Sequence, residues 1–308
     1  MMDDEKQRLL KLEPNLKTRA LIYKLIRQFF IVRGFLEVET PIRIPVIAPE
    51  PYTVPLESEG WFLSTSPELH MKRMLAAGYK KLFQFSRCFR KGEQGRLHNP
   101  EFTMLEWYYA NSGYMVIIQQ IEDLIAYLAK ALGFRKIRHG KLEFDISTPW
   151  SRLTVKDAYI KFAGWDPTTQ PDPLRFDIDM AEKVIPSLSK DYPTVLLDYP
   201  SYAAALARIK PDNPSVAERA EVFFGEMELA NVYSELVDAD EQKKRFQDAI
   251  EQIEREQGKR MQMPEKFIEA VPYMPECGGV AMGIDRLVML LCNAASIDEV
   301  MPFTAENA

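Results

Sequence analysis

Leu21, Ile22, Leu25, Ile26, Phe29 and Phe30 recur at helical spacing and predict a helix over 17–33, stopped by Gly34. The next residues, FLEVETP, alternate Phe35, Glu37 and Glu39 against Leu36 and Val38, which predicts a strand ended by Pro41. Prolines 41, 45, 49, 51 and 55 then make 41–60 a loop with short extended pieces. The stretch 64–78 predicts a helix starting after Ser66, with Pro67 at its first position. Segments 81–89 and 102–109 are rich in Phe, Trp and Tyr and read as two antiparallel strands, joined by the polar loop 91–100.

Further along, 114–132 forms an amphipathic helix closed by Gly133. Residues 134–192 carry mixed short elements, with a proline-rich loop at 166–173. TVLLDYP at 194–200 and ELANVYSEL at 228–236 are strand candidates. Asp238 with Glu241 three residues later resembles a capping box, opening a helix to about Gly258. The end, CGGVAMGIDRLVMLL, is a glycine-rich strand running into an apolar helix. No linker splits the chain and no repeat is visible. Helices and hairpins alternating in this irregular order predict an α+β fold, an antiparallel sheet flanked by helices.

Composition narrows the partners. The 308 residues suit one large catalytic domain, and a formal net charge of −6 removes the simplest argument for non-specific nucleic-acid binding. Cys88, Cys277 and Cys292 are odd in number and form no C-x-x-C pair, so neither a disulfide framework nor a zinc site is expected. No apolar run approaches the ~20 residues of a membrane span, and MMDDEKQRLL shows no positive region followed by an apolar core. A soluble cytoplasmic protein with free thiols is expected.

Four constellations carry candidate chemistry. Arg87, Arg90, Arg96 and His98 lie on one strand–loop–strand unit, where guanidinium forks could meet a phosphate and Phe102 could stack on a purine. A solvated basic hairpin gives the same pattern. In GGVAMGIDRLVML, a helix starting near Ile284 presents free N–H groups, and Arg286 in its first turn opposes the helix dipole unless an anion is near. Glu228 and Glu235 could hold Mg²⁺, but their spacing of seven puts them on opposite faces of a regular strand, so a bulge or bend is needed. Ser66, Pro67 and Glu68, with Glu106 and Tyr108, could pair with substrate ammonium groups, though Glu68 equally suits a helix N-terminus.

Taken together and in order, these segments resemble the class II aminoacyl-tRNA synthetase catalytic domain. GFLEVETP resembles motif 1, FRKGEQGRLHNPEFTMLEWY motif 2 and GGVAMGIDRLVML motif 3. STSPE, HNPEFTMLE and ELANVYSEL are similar to the lysyl branch, and the likeness covers nearly the whole chain. The first helix begins too early to leave room for an anticodon-binding OB domain. The chain therefore resembles the truncated lysyl-type ligases that attach (R)-β-lysine to elongation factor P, as a single catalytic domain over 1–308. Ala281 stands where lysyl-tRNA synthetases usually carry Gly and these ligases Ala. Gly92 stands where the family usually has Glu, with Glu93 next, and Val232 and Tyr233 replace the usual Gly and Phe.

The resemblance implies ATP and Mg²⁺ as cofactors. Arg90 would meet the α-phosphate, and Arg286 the γ-phosphate end and the adenine opposite Phe102. Asn99 and the backbone at Gly92 and Glu93 would fix the adenine, with Lys91, His98, Leu229 and Gly283 also lining the ATP site. Glu228 and Glu235 would be the metal ligands. Glu68 would take one ammonium of lysine or β-lysine, and Glu106, Tyr108 and Glu235 the other, with Ser66, Pro67, Asn231 and Ala281 around them. The implied product is an aminoacyl-adenylate, passed to a lysine of elongation factor P, in a homodimer and without tRNA. A stand-alone tRNA-charging enzyme and an inactive regulatory subunit are the alternatives. The second would be expected to lack Arg90 and Arg286.

Overall fold

The computed structural model describes residues 2–308. In chain order the elements begin with α1 (Met2–Ile31), β1 (Leu36–Glu37), β2 (Arg43–Ile44), β3 (Glu57–Ser58), β4 (Trp61–Leu63), α2 (Glu68–Ala76), β5 (Lys81–Phe89) and β6 (Glu101–Ala110). There follow α3 (Tyr114–Ala131), β7 (Lys136–His139), β8 (Leu142–Asp145), β9 (Ser151–Thr154), α4 (Val155–Phe162) and α5 (Pro173–Asp179). The last third holds β10 (Thr194–Pro200), β11 (Ile209–Lys210), β12 (Asn213–Phe224), β13 (Met227–Ser234), α6 (Ala239–Gln257), α7 (Glu265–Ile268), β14 (Cys277–Gly283) and α8 (Ile284–Cys292). Among the described residues no helix is long and apolar enough to cross a membrane.

The chain falls into two compact units. One takes the chain as far as Ala110, with Val237–Pro275 and Gly283–Ala308; the other takes Asn111–Leu236 and Glu276–Met282. In the first unit β5 and β6 form a long antiparallel hairpin, in register from Lys81↔Tyr109 to Phe89↔Glu101. β1 pairs parallel to β5. Helix α1 lays its apolar stripe on this hairpin. Ile22, Ile26, Phe29 and Phe30 are fully buried, and the Phe30 ring lies 4.9 Å from Phe83 and 5.1 Å from Trp107. Leu21 stays exposed, so the stripe is narrower than the periodicity alone predicts.

Helix α1 also begins fifteen residues earlier than the expected 17, and runs through Pro14. The first turns lack an apolar stripe and are held from far along the chain. Arg8 Nη1 donates to the carbonyl of Pro302 (2.9 Å) and Asn15 Nδ2 to that of Glu299 (2.9 Å). Helix α6 matches its local signals. Asp238 accepts from the N–H groups of Asp240 and Glu241 at 3.0 Å each, and Gly258 ends the helix at φ +65°.

In the second unit the sheet order is β14-β13-β12-β10-β9, with β11 on β12. All these pairs are antiparallel except β9 with β10. Helix α3 starts against β14 at Gly278. A Cβ there would meet Ile117 Cγ1 at 2.5 Å and the Gly113 carbonyl oxygen at 2.9 Å. This glycine of the GGVAMG segment therefore serves helix packing rather than the close approach of a ligand.

Candidate active site

The polar loop of the β5–β6 hairpin folds back on itself. Arg90 N–H donates to the Pro100 carbonyl (2.9 Å), and Gly95 and His98 exchange backbone bonds at 3.1 Å. Gly92 sits at φ +82°, a left-handed conformation that favours glycine and accounts for the missing glutamate there. Glu93 instead reaches Arg90, with 3.6 Å between carboxylate and guanidinium. The Arg90 guanidinium lies 5.3 Å from the Phe102 ring centroid. From the other side Arg286, in the first turn of α8, contacts His98, Nη2 to Nε2 at 2.6 Å. Burial, then the Arg286 charge, holds the His98 pKa below its ordinary value, so the neutral ring can accept this bond. Arg90, Glu93, His98, Phe102 and Arg286 thus form one cluster.

Other predicted members stand apart. Arg87 pairs with Glu101 across the hairpin (3.7 Å), so it is a strand ion pair and not part of the cluster. Arg96 and Lys91 are exposed at the tip. Asn99 is buried, and its amide is engaged by backbone. Nδ2 donates to the Glu101 carbonyl (2.6 Å) and Oδ1 accepts from Ala305 N–H (2.9 Å). Gly283 opens α8 with no side-chain cap.

Three residues of the first unit escaped the sequence reading. Asp285 carries Arg19 on one oxygen (2.7 Å) and the Thr103 backbone N–H on the other (2.7 Å). This knot binds α8 to α1 and β6 between the neighbours Phe102 and Arg286. Only the charged pair inside otherwise apolar runs hinted at it. The third, Lys72 on α2, is the ion-pair partner of Glu68.

Where the start of α2 meets β6, Ser66 Oγ donates to Glu106 Oε1 (2.6 Å) and Tyr108 OH to Oε2 (2.8 Å), making a carboxylate pocket with Glu68. Glu68 N–H donates to Ser66 Oγ (3.0 Å), and the Glu68 carboxylate is ion-paired to Lys72 one helical turn on. Pro67 caps α2. A small cavity touches Ile47, Glu50, Ser66, Glu68 and His70. Glu106 is 1% exposed. Burial, reinforced by the Glu68 charge, raises its pKa to about 8, against the hydrogen bonds from Ser66 and Tyr108. Burial likewise raises Glu68, against Lys72.

Phe102, Glu106 and Tyr108 stand at even spacing on β6 and so share a face. The first two are about 13 Å apart at the rise of a strand. Opposite Phe102 on β5, the buried Cys88 thiol is pushed up to about 12 by burial first, then by Glu106, with Arg90 opposing. The arginine cluster and the carboxylate pocket therefore flank one strand pair.

The second unit holds the remaining candidates on three strands. Between β12 and β13 the register shifts by one residue. Val222 pairs with Ala230 but Phe223 with Glu228, leaving Leu229 as the extra residue of a β-bulge. Leu229 is buried. The bulge cancels the odd spacing, so Glu228 shares a face with Asn231 and Tyr233, and alternation carries that face on to Glu235. Asn231 lies opposite Glu221 on β12 and opposite Ala281 on β14. Glu221, unpredicted, accepts from Asn231 Nδ2 (3.3 Å) and pairs with Arg219 (2.7 Å). Its place seven residues before Glu228 was the available signal. Glu221 and Glu228 thus present carboxylate oxygens, the ligand type that a hard cation such as Mg²⁺ takes, on one face of the sheet.

Residues 6–307 match the family described as tRNA synthetases class II (D, K and N). The chain belongs to this family. It is 38% identical over 316 residues to the elongation factor P--(R)-beta-lysine ligase of Salmonella gallinarum, covering 96% of each chain. The ligase of the same name from Klebsiella pneumoniae is 38% identical over 317 residues, again with 96% of each covered. That of Salmonella paratyphi B is 37% identical over 316 residues. Membership accounts for the α+β architecture and for the order of the three motif-like segments.

Proposed function

We propose that this chain is an AMP-forming ligase that activates (R)-β-lysine, or lysine, with ATP and transfers it to a lysine side chain of elongation factor P. The observation that carries the reading is the shared β6 face, with Phe102 and Arg90 at one end and Glu106 and Tyr108 at the other. A nucleotide joined to a linear diamino acid spans such a face. The names of the 37–38% identical relatives support the same substrate and acceptor.

In this reading the purine stacks between Phe102 and Arg286, and Arg90 faces the α-phosphate. Glu68 and Glu106 take the two ammonium groups. A substrate carboxylate oxygen attacks the α-phosphorus and the bond to the bridging oxygen breaks, releasing pyrophosphate. The acceptor amine then attacks the acyl carbon, AMP leaves, and the amine gives up a proton. Arg90 and Arg286 act by fixed charge and position, with no covalent enzyme intermediate. Glu228 and Glu235 would hold Mg²⁺, which neutralises phosphate charge. The enzyme would be cytoplasmic and homodimeric, as the resemblance implies.

The test incubates the protein with ATP, (R)-β-lysine or α-lysine, and either elongation factor P or bulk tRNA. Intact mass of the factor should rise by one β-lysyl group. Acylated tRNA with unmodified factor would instead make it a tRNA-charging enzyme. Arg286→Ala should abolish ATP–pyrophosphate exchange, and exchange at the wild-type rate would remove Arg286 from the mechanism.

A further inference from the structure

Lys72 is among the largest fully buried side chains of the protein, at 1% exposure. A buried ammonium needs a carboxylate, and it has one in Glu68 at i,i+4 on α2. Its charge also acts on Glu106, drawing that carboxyl down against burial. Glu50, on the loop before β3, pushes Glu68 the other way. The two carboxylates Glu68 and Glu106 therefore have a cation beside them, with Glu50 acting on Glu68 in the opposite sense. Stability does not demand this arrangement, because an apolar residue of equal volume usually serves a helix interior as well.

We propose that Lys72 is a positioning residue of the amino-acid pocket, holding Glu68 ionised and in place so that an incoming substrate ammonium meets a ready carboxylate. The inference rests on the functional reading above. Without Lys72 the Glu68 carboxyl takes up a proton, and each binding event must first remove it. The cost falls on amino-acid binding and lessens as pH rises, while ATP binding on Phe102 and Arg90 is spared.

The experiment measures ATP–pyrophosphate exchange by the full chain with β-lysine or α-lysine, from pH 6.5 to about 9, the range across which a buried carboxyl can titrate. For Lys72→Met, KM for the amino acid should rise about tenfold at pH 7, the weight of one pKa unit. The ratio to wild type should shrink as pH rises, with KM for ATP unchanged. Glu68→Gln and the Glu68→Gln/Lys72→Met double variant should give the same amino-acid KM. Lys72→Arg, which keeps the charge, should restore most of the loss, and Lys72→Gln replaces Lys72→Met should the latter fail to fold. An unchanged amino-acid KM would overturn the proposal. So would a loss shared by both KM values and the melting temperature with no pH dependence, since that is what a purely structural lysine gives. Wild-type protein inactive with every diamino acid would overturn the functional reading itself.

Discussion

Asp285→Asn tests the knot that joins three elements beneath the arginine cluster. The substitution keeps the side chain's size and leaves an oxygen for the Thr103 N–H, so that bond largely survives. What goes is the charge opposite Arg19, whose side chain is 14% exposed against 4% for Asp285. Removing one member of a buried ion pair costs about 3–5 kcal/mol. Arg19 retains a hydrogen bond to Tyr23 OH (2.9 Å) and lies 5.2 Å from that ring, which softens the loss. A destabilisation of about 2–4 kcal/mol is expected, within the 5–15 kcal/mol of a typical domain, so the variant should fold. Urea unfolding measures this term. Asp285 is also the residue before Arg286, and its partner Thr103 follows Phe102. Loosening the knot should raise KM for ATP in pyrophosphate exchange more than KM for the amino acid. Arg19→Gln should act alike, and the double variant should lose much less than the sum. A change below about 0.5 kcal/mol with an unaltered KM for ATP would refute the reasoning.

Ala281→Gly, opposite Asn231, should shift preference from β-lysine toward α-lysine by about 1 kcal/mol in competition assays, and unchanged selectivity would leave Ala281 as a lineage mark. Glu106→Gln should stabilise the empty protein increasingly as pH rises from about 5 to 8. The folded carboxyl titrates at about 8, above its unfolded value, so the native state holds the extra proton and its advantage is lost as pH climbs. Melting temperatures of the two proteins across that range check the sign, and a constant difference would contradict it. Asp238→Ala should cost about 1 kcal/mol through the cap of α6, read by thermal unfolding, and a neutral result would mean that tertiary contacts alone hold that helix.

What the sequence disclosed was local. Asp238 and Gly258 bound α6 by groups within a few residues of each helix end, and the aromatic runs of β5 and β6 mark a hairpin without outside help. The early start of α1 was hidden because its ties lie 284 and 294 residues away. Arg90, Phe102 and Arg286 were legible as residue types, but only folding brings His98 onto Arg286 and separates Arg87 from the group. Lys72 was visible at helical spacing from Glu68. Its meaning depends on burial, which a lysine in a polar-looking turn does not advertise.

The extra residue at Leu229 has a consequence for anyone redesigning this strand. Deleting it would give a cleaner ladder and would send Glu228 to the opposite side from Asn231. On the proposed metal-holding role of Glu228, regularity and activity pull in opposite directions here. A one-residue irregularity acts as a phase shifter, turning carboxylates an odd number of positions apart to the same face of the sheet.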